Sequence, residues 1–279
     1  MARPRTVLVL ALAAAWIAGC AAPPAGGTQV PTLQEEATLP SLAPPQAPTD
    51  TAEPAAEGTE VRRLELAPTP TVFEVAEDDV RSILDLAHPD GVDYFDTQGT
   101  WFDFDSTGVA AYRMENGHLL GVDYQPEELY TYWSYTDRSS GNTYAEVSIT
   151  NGDCINKDSA GLVIRVDSDT ASEGYALDVA CDGNWRFRRH RQGQEPFELV
   201  EWEAAPVIQT GKDATNRLGI WGYAGRFVLF INGAQVGEVV DQNNSYTYGQ
   251  FAVYVRASQT FDLTATFDDF AFWHIPFIP

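Results

Sequence analysis

Four arginines and four glutamates stand close together in this chain: Arg186, Arg188, Arg189 and Arg191, then Glu195, Glu198, Glu201 and Glu203. Two carboxylates two residues apart on a strand, Glu201 and Glu203, lie on one side of it, and paired carboxylates are what acid–base hydrolysis of a glycosidic bond requires. The arginines argue for a plainer reading, a cross-strand ladder of ion pairs between the two segments that needs no chemistry. Nucleophilic catalysis finds less support, because His88, His118, His190 and His274 are scattered and no Gly-x-Ser-x-Gly occurs. There is no glycine-rich phosphate loop and no His-x-x-x-His pair. Asp262, Asp268 and Asp269 would meet Asp96, Asp103 or Asp105 if the first and last strands paired, which leaves a structural Ca²⁺ open. The same residues also read as surface carboxylates, so no metal ligand is assigned. Lysine and arginine number 17 against 40 acids, a net charge of −23 that repels phosphate backbones and argues against nucleic acid as a partner.

The elements that would position these groups are strands. Asn216 to Tyr223, Arg226 to Ile231 and Ala234 to Asp241 alternate at period two around Ala224-Gly225 and Asn232-Gly233, so they read as a meander in the middle of a sheet. Strand-like segments also run over Trp101–Asp105, Ala110–Glu115, His118–Tyr124, Tyr130–Tyr135, Thr143–Thr150, Gly161–Val166, Gly174–Cys181, Trp185–His190, Gly249–Arg256 and Phe261–His274. Turn residues such as Asn116-Gly117 and Asp182-Gly183 separate them. The proline in Glu195-Pro196-Phe197 suits a loop or an edge strand. The only helical signal is short, with Asp78 or Asp79 capping Val80, Ile83, Leu84 and Ala87 and Pro89-Asp90-Gly91 ending it. Many short strands with no βαβ alternation predict one antiparallel β-sandwich or jelly roll over residues 77–279.

The start of the chain is of another kind. Arg3 and Arg5 precede an apolar run, Thr6 to Ala18, of a length that suits a signal peptide and is too short to span a bilayer. The run ends in Ile17-Ala18-Gly19-Cys20, which resembles the lipobox of bacterial lipoproteins. The resemblance implies cleavage after residue 19, lipidation of Cys20, and anchoring to the outer face of a cell-envelope membrane through acyl chains alone. Residues 20–76 are rich in Ala, Pro, Thr and Glu, with too few large apolar groups to offset ordering entropy, and read as a disordered stalk. Two cysteines remain, Cys154 and Cys181, and in an exported protein the simplest accounting pairs them in a disulfide.

Several segments of the sandwich region resemble the concanavalin A-like lectin/glucanase superfamily, in particular laminin-G-like jelly rolls and the domain named for 3-keto-disaccharide hydrolases. They are Asn216-Arg217-Leu218, Phe227 to Gly233, Gly249 to Tyr254, Phe267 to Trp273, and Ala160 to Val166 followed by Tyr175 to Val179. The resemblance implies a concanavalin A-like jelly roll and leaves function open, since lectins, glycosidases and adhesion modules share that fold. Glucan-hydrolysing members resemble one another in a strand with Glu-x-Asp-x-x-Glu, and this chain has none.

Strand parity offers a candidate ligand face. Phe251, Val253 and Val255 alternate with Tyr248, Gln250, Tyr254 and Arg256; Trp221 and Tyr223 oppose Leu218 and Ile220; Arg165 opposes Ile164 and Val166; Asp178 opposes Leu177 and Val179. If these strands share a hollow face, its rings would stack on sugars, and Arg165, Asp178, Gln250 and Arg256 would engage hydroxyls. Three readings follow: a non-catalytic lipoprotein module that binds a glycan or glycoprotein, a glycoside hydrolase with carboxylates on loops, and a structural or protein-partner domain.

Overall fold

The computed structural model describes residues 75–126 and 131–278, within the compact unit Leu64–Pro279. The leader, Cys20 and nearly all of the stalk lie outside the described residues. Two antiparallel sheets form a β-sandwich. Numbered along the chain, the larger sheet runs in the order β13 (Ala234–Val240), β12 (Arg226–Ile231), β11 (Thr215–Tyr223), β6 (Thr143–Asn151), β15 (Leu263–His274), β4 (His118–Asp123), β3 (Ala110–Glu115), β2 (Phe104–Ser106), with β1 (Gly91–Asp93) also on β15. The smaller sheet is β10 (Gln194–Ala204), β9 (Asn184–Arg191), β8 (Gly174–Ala180), β7 (Ser159–Val166), β14 (Gly249–Arg256) and β5 (Trp133–Ser140). The meander β11 to β13 therefore closes one end of the larger sheet instead of occupying its middle. The segment with Pro196 is an edge strand, where a missing N–H costs nothing.

Alternation explains the core between the layers. From the smaller sheet come Ala160, Leu162 and Ile164, then Tyr175, Leu177 and Val179, then Phe251, Val253 and Val255. Leu218, Ile220, Phe227, Leu229 and Phe267 meet them from the larger one. Each large side chain fully removed from water contributes about 1.5–3 kcal/mol. The disulfide joins Cys154 to Cys181, with Cα atoms 5.9 Å apart, and closes a 27-residue loop.

The larger sheet's other face is also covered. Asp79 caps a 3-10 turn, Val80–Ile83, by accepting from the Arg81 amide at 2.8 Å. The helical stripe ends sooner than the sequence predicts, and Ile83 turns outward while Val80, Leu84 and Leu86 pack against Tyr144, Trp221, Phe230 and Trp273. The Trp273 indole donates to the Asp85 carbonyl at 3.0 Å, and the Arg81 guanidinium lies 3.8 Å from the centre of the Phe230 ring. Trp221 is consequently 1% exposed and belongs to this sheet. It shares no face with Asp178 or Tyr254, contrary to the grouping read from parity.

Candidate functional site

On the smaller sheet, the face turned away from the core carries a polar array. Backbone register aligns Trp133, Tyr254, Gly161, Asp178 and Arg186 across five strands. The next row along the same face is Tyr135, Ala252, Val163, Ala176, Arg188 and Glu198. Directly registered residues project to one side, and rows two residues apart share it, so both rows present their side chains together. The middle of the array is small and the ends are large, with rings toward β5 and ionic groups toward β9 and β10. Gly161 is required by this packing: a Cβ there would stand 2.8 Å from the Tyr254 ring and 2.9 Å from the Leu177 carbonyl oxygen. Tyr254 lies across it and donates its hydroxyl proton to Asp178 Oδ1.

Asp178 is wholly buried, and its other oxygen accepts from Arg186 Nε and Arg188 Nη2, each at 2.7 Å. Burial alone would raise its pKa, but the charges of Arg188 and Arg186 outweigh that and hold the carboxyl below its ordinary value. Burial lowers the Arg188 guanidinium to about 10, against the pull of Asp178. His190, one step further along β9, is pushed down to about 3 by burial and by Arg188, so it is neutral at physiological pH. Burial raises Glu198, opposed by Arg186 and Arg188; its nearer contact is Arg186 Nη1 at 3.4 Å. Trp202 on β10 backs the Arg186 guanidinium at 4.2 Å, a cation–π contact.

Hydrogen bonding on this face is incomplete. Trp133 Nε1, Arg186 Nη2, Arg188 Nε, His190 Nε2, Glu198 Oε2 and Gln250 Oε1 are buried atoms with no partner. Folded proteins satisfy nearly all such groups, and each one left open costs about 1–3 kcal/mol. These atoms are closed to solvent, and comparable unpartnered atoms occur elsewhere in the described residues, at Arg165 Nη2, Arg189 Nε and Trp221 Nε1, so they are a local cost of burial and do not by themselves mark a binding face. Beside the array, Phe102 is 46% exposed and stacks on Tyr135, with ring centres 4.9 Å apart and planes 16° from parallel.

The residues read from the sequence divide. Asp178, Gln250, Tyr254 and Arg256 belong to strands β8 and β14 and project to this face, but Asp178 and Tyr254 are wholly closed to solvent and Tyr254 packs with Trp133, Val163 and Ala252, so the Tyr254 ring is not free to stack on a sugar as parity suggested. Arg165 does not: a positive φ of 57° interrupts the pleat, and its guanidinium turns to the carbonyls of Gly141, Ala224 and Tyr246 at 2.6–3.1 Å. Tyr248 is 65% exposed on the approach to β14, with its hydroxyl 2.6 Å from Ser139 Oγ. The expected arginine–glutamate ladder reduces to Glu198, while Glu201 and Glu203 are exposed and Arg189 pairs with Asp241 at 2.8 Å. Trp133, Arg186, Arg188 and His190 went unrecognised as a cluster. Their signal was alternation within β9, where Trp185 and Phe187 enter the core and Arg186, Arg188 and His190 take the other side. Among the described residues no three His, Cys, Asp or Glu side chains gather where they could hold a metal ion.

No family model matches the chain, and no curated protein matches it in sequence. Solved structures do. A protein of unknown function with a galectin-like fold from Bacillus subtilis is 13% identical, covering 67% of this chain and 96% of that one, with a TM-score of 0.50. The carbohydrate-binding module CBM66 from Bacillus subtilis is 20% identical over 62% of this chain and 95% of its own, with a TM-score of 0.47. A glycosyl hydrolase, described as putative, from Parabacteroides distasonis is 12% identical over 63% and 89%, with a TM-score of 0.43. At these identities the likeness is one of fold: the chain is a β-sandwich of the kind the galectin-like protein displays.

Proposed function

We propose that this chain is a non-catalytic carbohydrate-binding module that meets its ligand on the exposed rings at the β5 edge of the smaller sheet. The observation that carries this reading is the exposed Phe102 ring, 46% exposed and stacked on Tyr135 of the edge strand β5, with Tyr248, 65% exposed, on the approach to the neighbouring strand β14. Saccharides present flat C–H faces on which such rings stack. Catalysis is disfavoured by the state of the carboxylates. Hydrolysis by a retaining or inverting route needs two carboxyl groups free to act, one of them held protonated. Glu198, with its raised pKa, suits the acid role, but both oxygens of Asp178 are already engaged by Tyr254, Arg186 and Arg188.

Export and a lipid anchor at Cys20 belong to the same reading, and the Cys154–Cys181 disulfide supports an oxidising compartment. Mass spectrometry of the mature N-terminus would reveal a diacylglycerol thioether on Cys20, and Cys20→Ser should move the protein to the soluble fraction. Binding is tested by affinity electrophoresis of the full chain through plant, microbial and host polysaccharides. Retardation by at least one is expected, lost in Phe102→Ala and kept in Trp221→Phe. Free migration in all of them would refute carbohydrate recognition, and retardation untouched by Phe102→Ala would put the site elsewhere.

A further inference from the structure

This inference rests on the carbohydrate reading and narrows it. We propose that the ligand is the interior of an uncharged polysaccharide chain, laid across Phe102 and Tyr248 at the β5 edge, and not a single terminal sugar. A β-bulge is the first ground. Tyr135 pairs with Ala252 and Ser139 with Gln250, so β5 takes four steps where β14 takes two. Insertions of this kind gather at sheet edges and re-aim the side chains beside them. A regular strand would hold Tyr135 and Ser139 about 13 Å apart; the bulge brings them onto adjoining rows of β14, about 7 Å apart. Both project to the outward side, as their partners Ala252 and Gln250 do. Each supports an exposed ring: Phe102 stacks on Tyr135, and the Tyr248 hydroxyl meets Ser139 Oγ at 2.6 Å.

The second ground is that both rings are held in place before any ligand arrives. The Phe102 amide donates to the Tyr135 carbonyl at 2.7 Å, and the Phe102 carbonyl accepts from Ser134 Oγ at 2.8 Å. The Ser139 contact fixes Tyr248 in the same way. Rings fixed beforehand lose little freedom on binding, so their stacking is kept as affinity. A pyranose is about as large as a phenyl ring and covers one of them, so two rings on adjoining rows call for linked sugars. Both rings stand exposed at a sheet edge, where a polymer can run on past each of them. Charge is the third ground. The chain's net charge of −23 repels acidic polymers, and the bulge carries one charge of each sign, the exposed Asp137 and the half-buried Arg138. An uncharged chain approaches this edge without that penalty.

The test is titration calorimetry of the full chain with cello-, xylo-, manno-, malto- and laminari-oligosaccharides of one to six units, their parent polymers, and polygalacturonate. In at least one series affinity should rise about tenfold or more between one unit and four, the effect of engaging the second ring, and then level off. The parent polymer should take up several protein molecules per chain, which recognition of a chain end cannot give. Tyr248→Ala should weaken binding of the tetrasaccharide about tenfold, and Tyr248→Phe, which keeps the ring and loses only the Ser139 contact, should restore most of it. Equal affinity for one unit and four, one protein molecule per polymer chain, or tighter binding of polygalacturonate than of every neutral polymer overturns the inference and leaves the carbohydrate reading standing. So does full binding in Tyr248→Ala, or a loss in Tyr248→Phe as large as in Tyr248→Ala. Failure of every saccharide, neutral or acidic, removes both.

Discussion

Asp178→Asn is the most informative single change, because it retains the shape and removes only the charge on which two buried guanidinia depend. Asp178 is fully buried, Arg188 nearly so, and their contact of 2.7 Å is matched by the one from Arg186. Removing one partner from a buried ion pair leaves the others uncompensated and costs about 3–5 kcal/mol. For a domain of this size each kcal/mol corresponds to roughly 2–4 °C, so the melting temperature at pH 7 should fall by roughly 6–20 °C. The assay is a thermal melt by near-ultraviolet circular dichroism, paired with urea unfolding to verify an unchanged slope. The pH dependence has a definite sign. The folded pKa of Asp178 lies below its unfolded value of about 3.9, so its contribution is complete above that value and is lost as pH falls through the folded one. The gap between wild type and variant should therefore shrink below about pH 4. Adding Arg188→Met to Asp178→Asn should recover part of the loss, since the second charge no longer needs a partner. A fall of less than about 2 °C in the single variant would mean that water already solvates the guanidinia, and the account of this face would fail.

Three further outcomes follow from the packing. Replacing both Cys154 and Cys181 by serine releases a 27-residue loop, and chain entropy puts the loss at about 3–4 kcal/mol; calorimetry should show a clear drop in melting temperature, and an unchanged value would contradict it. His190 has a folded pKa of about 3 against about 6.5 unfolded, so the stability it contributes is present above 6.5 and lost at up to about 1.4 kcal/mol per pH unit as pH falls toward 3. Urea midpoints at pH 7, 6 and 5 should consequently fall more steeply in wild type than in His190→Gln, and parallel profiles would show that His190 is charged in the fold. Gly161→Ala drives a methyl group into the Tyr254 ring at 2.8 Å, and should cost about 1–3 kcal/mol by urea unfolding; a neutral result would show that Tyr254 has room to move.

Much of the fold was legible because period-two alternation is a local property. It located β3, β11, β12 and β14 to within a residue and separated core residues such as Phe251 and Val253 from Gln250 and Tyr254, while the proline at 196, read as a loop or an edge strand, lies on the edge strand β10. It failed where its premise failed. At Arg165 the left-handed backbone conformation breaks the pleat, so counting by twos assigns the guanidinium to the wrong side. At Ala224-Gly225 the alanine, with φ of 48°, takes the left-handed conformation expected of the glycine, and Gly225 is needed because a Cβ there would stand 2.5 Å from the Asp241 carbonyl oxygen.

The sequence by itself determined two antiparallel layers, the candidate disulfide and the presence of arginines within reach of acids. It did not determine which acid they meet, because β9 lies between β8 and β10 and both neighbours carry carboxylates. Tertiary structure decided in favour of Asp178, since β8 is interior and its carboxylate is stripped of water, whereas Glu201 and Glu203 on the edge strand β10 remain solvated and attract a guanidinium weakly. The same holds for Trp221, whose sheet and whose cover from Val80 and Leu84 are set by contacts between residues more than a hundred positions apart. Alternation tells which residues share a side of one strand; which strands become neighbours, and how far water is excluded between them, follows only from closure of the sandwich.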